Sequence, residues 1–378
     1  MAKTTKTGHK CRRGRQKAQH HGKSDNSHFR DETLMATNPR PLICLLASED
    51  TSPMVVFSLF DVLSTVGAAF EDMVNGVAGE ELLDVKIVAK NIEPFRCIGD
   101  VLIEPHAGVD NIDSADVVVV CDMYTPIDTP PRGCYQAEIA WLKRMYARNA
   151  LLCSVCTGSV VLAETGLLDG FEVSGHWAYR HMFREHYPNV KVIEDSVLNL
   201  SAEHKRLVTA GGGSSWQDLV IYLIEKFCGL QQAVYTTKVY LLAPHADGQL
   251  PFAAMTQRNQ HSDALILDCQ GWIADNFSCV NPVAQMAERS GLSSRTFARR
   301  FRAATGYQPI EYAQGLRIEA AKQILESETT AIEEISNMVG YEDPTSFRRI
   351  FKRNTGLTPA IYRKKFCSIV GRANHLNA

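Results

Sequence analysis

The sequence predicts a doubly wound α/β domain followed by an all-α domain with two helix-turn-helix units. Three observations lead to this prediction. Apolar runs alternate with amphipathic stretches over residues 41–230. Every segment over 263–366 has helical periodicity, and one sequence motif occurs twice near the C-terminus. The 378 residues are enough for two or three domains with proper cores.

Strands and helices take turns through the first of these domains, which favours a mostly parallel sheet with helices on both faces. The run Val117–Val120 shows no polar alternation, as expected for a strand that is buried on both sides. The predicted strands are Leu42–Ala47, Asp84–Ala89, Asp116–Cys121, Ala150–Val155 and Lys191–Glu194. The predicted helices are Met54–Val66, Tyr135–Arg148, Thr157–Gly166, Ala178–His186 and Ser214–Phe227.

The remaining segments are divided by composition. Residues 1–40 predict a basic, disordered tail, because they are rich in Lys, Arg, His, Ser and Thr with almost no apolar content. Residues 231–262 predict a linker, in which a helix over Tyr235–Leu242 is followed by a hinge at Pro244–Pro251. Residues 263–366 predict the all-α domain, and residues 367–378 a second tail.

The net charge of −2 hides a gradient along the chain. Residues 1–40 carry a net charge of +7, residues 41–260 carry −12 and residues 261–378 carry +3. Because an acidic surface repels phosphate backbones, nucleic-acid contact is expected at the two ends of the chain.

Eleven cysteines are spread without a framework spacing, which indicates free thiols in a reducing cytoplasm. The N-terminus has no secretory signal, and the longest β-like apolar run, Val117–Cys121, is far too short to cross a bilayer. We therefore expect a cytoplasmic protein without membrane partners, associated with the nucleoid when bound to DNA. We expect no cofactor and no metal, because the spacing of the candidate ligands in the tail matches no zinc pattern. These candidates are His9, Cys11, His20, His21 and His28.

The first helix-turn-helix unit begins with a helix over Val283–Arg289 and turns at Gly291, where glycine permits a left-handed backbone. Ser293 or Ser294 is a suitable N-cap for its second helix. Two aromatic side chains four residues apart bury one face of that helix, namely Phe297 and Phe301. The side chains off that face are Arg295, Thr296, Arg299 and Arg302.

The second unit repeats the scheme. Its first helix has a core stripe of Ile332, Ile335 and Met338, Gly340 makes the turn, and Asp343 caps a helix that begins at Pro344. The side chains left for DNA are Thr345, Arg348, Arg349 and Lys352. The landmarks Phe297, Phe301, Thr305, Gly306, Pro309 and Tyr312 recur 50 positions later as Phe347, Phe351, Thr355, Gly356, Pro359 and Tyr362.

A helix over Ile310–Leu325 lies between the two units and could determine their separation. Arg-rich helices are often only solvated faces, but two units in register favour DNA reading over that interpretation.

The C-terminal hundred residues resemble the AraC/XylS family of transcription regulators, through both units and their Thr-Gly-x-x-Pro-x-x-Tyr endings. The resemblance implies that the two recognition helices enter adjacent major-groove segments on one face of promoter DNA. The reading residues of the first unit then map onto Arg295 and Arg299. Those of the second map onto Pro344, Thr345 and Arg349, of which the proline has no side-chain donor. Phosphate contacts are expected from Lys352, Arg353, Lys364 and Lys365.

The run Ala150–Ala163 predicts a strand, a tight turn and a helix. Cys156 lies at the corner, where a nucleophile elbow places a reactive side chain and where a helix N-terminus lowers the pKa of a thiol. His176 is a possible partner in thiol nucleophilic catalysis.

This segment resembles the PfpI-like branch of the class I glutamine-amidotransferase-like domains, through Gly166–Gly170, Gly175–Trp177 and Thr209–Gly213. Joined to an AraC module it is the GlxA-type arrangement, which implies a flavodoxin-like, amidotransferase-like sensor domain. The resemblance implies that Cys156 and His176 occupy the nucleophile and histidine positions of enzymatic relatives. Those relatives also have a Glu near the thiol, where this chain has Val55, so the resemblance implies a catalytically inactive domain.

Three interpretations of Cys156 stay open: a buried small residue at a tight turn, a residue that lines a ligand pocket, and a covalent catalyst. Cys153 completes a Cys-x-x-Cys that could sense redox state, although its place in a strand directs it into the sheet packing. A pocket is expected at the C-terminal ends of the parallel strands. Its predicted lining is Asp122, Tyr124, Cys156, Thr157, His176 and Trp177.

We therefore predict a ligand-responsive, sequence-specific transcription regulator. Family precedent implies a small nitrogenous or amino-acid-like effector, which Tyr124 and Trp177 could meet through cation–π contacts. The α/β domain is expected to form a homodimer, and RNA polymerase is a partner if the protein is an activator. One alternative is a thiol hydrolase or amidase that uses Cys156 and His176 beside a DNA module. Another is a nucleoid-type DNA binder without ligand or sequence preference.

Overall fold

The structure, a computed structural model, describes residues 39–202, 205–255 and 261–375, with side chains as far as Cys367. The basic tail predicted over residues 1–40, with its five candidate zinc ligands, therefore lies almost wholly outside the described residues. Residues from Arg40 onward belong to one compact unit.

A seven-stranded sheet forms the centre of the α/β domain, in the order β10-β11-β7-β6-β1-β2-β5. All neighbours pair in parallel except β10 and β11, which are antiparallel. Two further pairs, β3 with β4 and β8 with β9, lie beside this sheet. The strands are β1 (Leu42–Leu46), β2 (Asp84–Ala89), β3 (Phe95–Cys97), β4 (Val101–Ile103), β5 (Ala107–Gly108), β6 (Val117–Val120), β7 (Leu151–Val155), β8 (Glu172–Ser174), β9 (Lys191–Ile193), β10 (Leu198–Ser201) and β11 (Leu207–Ala210).

Helices cover both faces of the sheet, so the predicted doubly wound fold is confirmed. Side chains of β1 alternate between two cores: Ile43 and Leu45 pack on one face, Cys44 and Leu46 on the other. All four valines of β6 are fully buried, as the run without polar alternation predicted. The helices are α1 (Pro53–Ser64), α2 (Gln136–Ala147), α3 (Gly158–Glu164), α4 (Arg180–His186), α5 (Trp216–Cys228) and α6 (Leu230–Tyr240), with a π-helical turn at Glu71–Asn75.

The C-terminal half consists of helices throughout its described residues: α7 (Ala264–Asn276), α8 (Pro282–Arg289), α9 (Ser294–Thr305), α10 (Pro309–Ser327), α11 (Ile332–Met338), α12 (Pro344–Thr355) and α13 (Pro359–His375). Two small cores divide these helices. The first contains Phe297 and Phe301, the second Phe347 and Phe351, and each core includes one half of α10.

Two details of this half differ from the sequence prediction. The predicted tail over 367–378 is wrong for most of its length, because α13 continues to His375. Met338 was assigned to the core stripe but is 49% exposed. Val339, one residue further along, is buried in its place, because the chain leaves the helix there and turns at Gly340.

We expect that Gly158→Ala destabilises the α/β domain by about 1–3 kcal/mol, because a β-carbon has no room at the start of α3. That atom would lie 2.4 Å from the carbonyl oxygen of Val120 and 2.6 Å from that of Cys121. Gly271→Ala, in the exposed middle of α7 with no atom within 4 Å, is the control and should stabilise by about 0.5–1 kcal/mol. Urea unfolding followed by circular dichroism measures both, and equal effects would contradict the close packing of α3 on β6.

Candidate nucleic-acid interface and ligand site

The first helix-turn-helix unit consists of α8, a left-handed turn at Gly291 and the recognition helix α9. Of the two serines proposed as N-cap, Ser293 has that place, and its hydroxyl accepts the backbone N–H of Thr296 at 3.4 Å. Phe297 and Phe301 are fully buried, which turns the opposite face of α9 to solvent. That face contains the exposed side chains of Arg295, Arg299 and Arg302 around one open concave surface.

The second unit has the same construction. Asp343 caps α12, accepting the backbone N–H groups of Thr345 at 3.0 Å and Ser346 at 2.9 Å. These hydrogen bonds, with that of the Ser346 side chain as the largest cause, lower the pKa of Asp343. A carboxylate therefore remains at the positive end of the recognition helix, where it stabilises the first turn.

The predicted DNA-contact residues fall into two groups. Arg295, Arg299, Arg349 and Lys352 are exposed and form no ion pair within the described residues. Arg348 is engaged instead with the carboxylate of Glu333 on α11. Thr345 is exposed, whereas Thr296 and Pro344 are half-buried at the first turns of their helices.

Cys156 occupies the corner between β7 and α3 with a left-handed backbone, φ +54°. Its N–H donates to the carbonyl oxygen of Ala210 at 2.8 Å, and its own carbonyl oxygen accepts the Ser159 hydroxyl at 2.7 Å. This strained turn is the geometry of a nucleophile elbow. Cys153 is fully buried in the sheet packing, as its strand position predicted.

The chemistry of this corner is that of neutral groups. Burial raises the pKa of the Cys156 thiol to about 12, and the nearby charge of Asp122 adds to the effect. Burial also lowers the pKa of His176. The imidazole Nδ1 of His176 accepts the N–H of Ala178 at 3.2 Å, and no hydrogen bond joins it to Cys156 in the part of the chain that the structure describes. The raised pKa of Cys156 therefore disfavours its thiolate, the nucleophilic form of a cysteine.

Asp122 follows β6 and supplies an acid to the same corner. Burial raises the pKa of its carboxyl from the ordinary value of 3.8 to about 7. Hydrogen bonds from the backbone N–H groups of Ser52 and of Asp122 itself act in the opposite direction but are the smaller effect. Its Oδ1 atom is buried without a hydrogen-bond partner among the described residues. Val55, at the position where enzymatic relatives are expected to have a Glu, is fully buried in the core.

The two aromatic residues predicted to line the pocket, Tyr124 and Trp177, lie in different places in the structure. Tyr124 is 62% exposed at the rim, next to Tyr179, whose pKa is raised by burial and also by the charges of Cys156 and Tyr124. Trp177 lines a small hollow together with Gly306 and Tyr307 of the first helix-turn-helix unit. Thr157 is buried beside Cys156. The sequence therefore located the corner, but it missed that Trp177 faces the helical half.

Residues 243–255, which we call the strap, are the feature that sequence analysis missed most completely. A hinge was predicted at Pro244–Pro251, and in this structure the segment is anchored on the α/β domain. Gln249 is buried, and its Nε2 donates to the carbonyl oxygens of Gly175 at 3.2 Å and Ser196 at 2.9 Å. The His245 ring lies 2.6 Å from the Asp218 carboxylate.

The other face of the strap contacts the helical half. Asp247 pairs with Lys365 of α13 at 2.6 Å, and the Phe252 ring meets that of Phe366 edge-on with centroids 5.6 Å apart. The carbonyl oxygen of Ala253 accepts the buried Lys322 ammonium at 2.6 Å. The strap also borders a cavity of about 590 Å³ that α4 and α10 line from opposite sides. Only the Pro and Gly content of the segment could have signalled a structured loop.

Comparison with known proteins agrees with this architecture. Residues 43–226 match the DJ-1/PfpI family, and residues 286–365 match a helix-turn-helix domain. The HTH-type transcriptional regulator CdhR of Pseudomonas aeruginosa is 26% identical over 270 residues, which cover 71% of this chain and 77% of CdhR. The HTH-type transcriptional regulator GlxA of Rhizobium meliloti is 25% identical over 261 residues, which cover 67% of this chain and 76% of GlxA.

The chain is an AraC-type helix-turn-helix regulator with a DJ-1/PfpI domain. The helix-turn-helix match includes α9 and α12, whose exposed faces are the predicted DNA-reading surface, and the DJ-1/PfpI match includes the corner around Cys156. The relatives that span both domains have the names of transcriptional regulators and not of enzymes.

We expect that Arg299→Ala and Arg349→Ala each weaken binding to a specific DNA site by about 1–3 kcal/mol, because each removes a guanidinium that can bind a guanine edge. Binding to random duplex should fall much less. The matched control is Arg289→Ala, which removes an exposed arginine of α8 that pairs with Asp268 at 2.6 Å. Fluorescence anisotropy with both duplexes measures the effect, and equal losses on the two would contradict base reading by these side chains.

The raised pKa of Asp122 predicts a pH dependence of stability. The folded state holds the Asp122 proton more tightly than the unfolded state, so protonated Asp122 contributes to the free energy of unfolding. This contribution is fully present below pH about 4 and is lost as the pH rises through about 7. Asp122→Asn stays neutral, so wild type should lose about 2–3 kcal/mol relative to this variant between pH 5 and 8. Urea unfolding at both pH values measures the difference. The exposed Glu104→Gln is the control, and a constant difference for Asp122→Asn would contradict the raised pKa.

Proposed function

We propose that this regulator responds to a small metabolite, which binds the DJ-1/PfpI domain and changes how the two helix-turn-helix units meet DNA. The observation that carries the proposal is the strap, which contacts both the ligand corner and the second reading unit. A ligand acts through such a connection only if it binds one arrangement of the two halves better than the other.

The proposed ligand site is the corner made by Asp122, Cys156, Thr157 and His176, with Tyr124 and Tyr179 beside it. A buried carboxyl with an unpartnered oxygen atom is suited to an amine or ammonium group. Aromatic rings at the rim add cation–π attraction for the same charge. We infer a small nitrogen-bearing effector, in the class of amino acids, amines and quaternary ammonium compounds.

The proposed route to DNA starts next to His176. Gln249 of the strap donates a hydrogen bond to the carbonyl oxygen of Gly175, the residue before His176. A ligand that moves His176 would therefore also change this hydrogen bond. Asp247 and Phe252 of the strap contact α13, through Lys365 and Phe366, and α13 packs along α10. Release of Lys365 from Asp247 would return a cation to the side of the molecule that meets phosphate.

We propose that the corner does not catalyse. A thiol hydrolase would need Cys156 as thiolate, whereas burial raises the pKa of its thiol. His176 is neutral, as a base must be, but among the described residues no hydrogen bond joins it to Cys156. Asp122 brings an acid close to the thiol, but its charge opposes thiolate formation.

The partners we propose are promoter DNA, a second copy of the chain bound through the DJ-1/PfpI domain, and RNA polymerase if the protein activates transcription. We propose that it works in the cytoplasm on the nucleoid. Among the described residues, no helix has the length and apolar character that a membrane crossing requires.

A thermal-shift screen of amino acids, amines and quaternary ammonium compounds against the full chain should find a stabilising effector. At a hundredfold excess over its Kd, such a ligand adds about 2.7 kcal/mol to the free energy of unfolding. Gln249→Ala should keep this stabilisation but lose the effect of the ligand on DNA affinity, and Asp247→Ala tests the other face of the strap in the same way.

Cys156→Ala separates binding from catalysis, because it removes the thiol that turnover needs but leaves the Asp122 carboxyl to hold an amine. Turnover of a screened compound that disappears in Cys156→Ala would support the enzyme instead. A ligand response that survives in both strap variants would refute the proposed route.

A further inference from the structure

The two reading units do not share a core, yet they must meet DNA together. Helix α10 contributes Tyr312 and Leu316 to the first core, and Ile318 and Leu325 to the second. Two cores that share only one helix could twist about it. Whatever holds them at the crossover therefore decides how far apart, and at what rotation, α9 and α12 stand.

Arg317 occupies this crossover, between the last α10 residue of the first core and the first of the second. Its guanidinium donates three hydrogen bonds to backbone carbonyl oxygens. Nε reaches Phe277 at 2.7 Å and Nη2 reaches Cys279 at 2.8 Å, both in the loop between α7 and α8. Nη1 reaches Gly340 at 2.8 Å, in the turn before α12. One planar group thus ties the backbones of the two units together.

The surroundings of Arg317 make the junction close-packed. The side chain is half-buried, and its guanidinium lies over the ring of Tyr341 at 5.1 Å. A β-carbon at Gly340, where φ is +85°, would lie 2.3 Å from the carbonyl oxygen of Ser278. Phe277 packs against both cores. The turn of the second unit therefore rests directly on a loop of the first.

We propose that Arg317 is a positioning residue that sets the separation and rotation of the two recognition helices, and so selects the spacing of the two DNA elements. Each added base pair moves the second element by about 3.4 Å and rotates it by about 35°, so a rigid junction accepts few spacings. The inference rests on two-unit reading and does not depend on the effector.

The experiment uses the full chain and DNA that the protein itself selects. Wild-type protein first enriches binding duplexes from a randomised pool, which yields its two-element site. One or two base pairs are then inserted or removed between the elements, and affinities are measured for wild type, Arg317→Ala and Arg317→Lys. The control is Arg289→Ala, whose arginine pairs with Asp268 inside the first unit.

Wild type and the control should lose on the order of tenfold to a hundredfold in affinity when the spacing changes, as for a lost base contact. Arg317→Ala should bind the selected site more weakly and lose only about threefold further when the spacing changes, because its units pivot independently. Arg317→Lys should resemble Arg317→Ala, because an ammonium keeps the charge but cannot span three carbonyl groups in one plane.

A junction that only stabilises the fold would lower affinity at every spacing by the same factor, and this result would overturn the inference. The same conclusion holds if Arg317→Lys, the gentler change, keeps the wild-type spacing preference. A selected site with a single element would overturn two-unit reading itself, and the inference with it. Loss of the effector response with the spacing preference intact would count against the proposed ligand route alone.

Discussion

Burial of the central sheet on both faces is the constraint on which the rest of the structure depends. Helices cover both sides of β6 and β1, so these strands leave no polar face for a ligand or a partner. What remains open is the edge at which the parallel strands end. Asp122 after β6 and Cys156 after β7 lie at such ends of the central sheet, and Gly175 follows β8, which lies beside it. The strap reaches the same region, where Gln249 donates to the carbonyl oxygens of Gly175 and Ser196.

The C-terminal helices are arranged differently, because they pack around two small cores and not around one large sheet. Each core is closed by a pair of phenylalanines from its recognition helix and a tyrosine that follows, Tyr312 or Tyr362. Such cores position the helices within a unit. Among the described residues, the units are related to each other by Phe277, which packs against both cores, and by the hydrogen bonds of Arg317. Arg317 connects the two units by donating to backbone carbonyl oxygens, which are available whatever side chains surround them. The strap adds a second restraint near the middle of α13, at Lys365 and Phe366.

The sequence predicted the elements that have a strong period or a long buried run. Val117–Val120 and the two phenylalanine pairs are of this kind, and they lie where periodicity placed them. It did not predict β11, a short strand whose apolar run is interrupted by Thr209, or β5 with only two residues. Nor could it predict Gln249 and Arg317. Their roles depend on carbonyl groups that come from distant parts of the chain, and a backbone acceptor leaves no mark in the sequence.

Under the proposed function, the corner around Cys156 has the backbone geometry of a nucleophile elbow but serves binding and not catalysis. The left-handed turn exposes a side chain at the sheet edge whatever its charge, so the elbow alone is not evidence for a nucleophile. Its surroundings decide the matter. Low solvation moves the thiol, the imidazole and the carboxyl all toward their neutral forms, as the raised pKa values of Cys156 and Asp122 and the lowered pKa of His176 indicate. A thiolate at Cys156 would have to form against this trend. A cationic ligand instead supplies the charge itself, and its arrival would favour ionised Asp122 at neutral pH, so that binding and proton release occur together at this carboxyl.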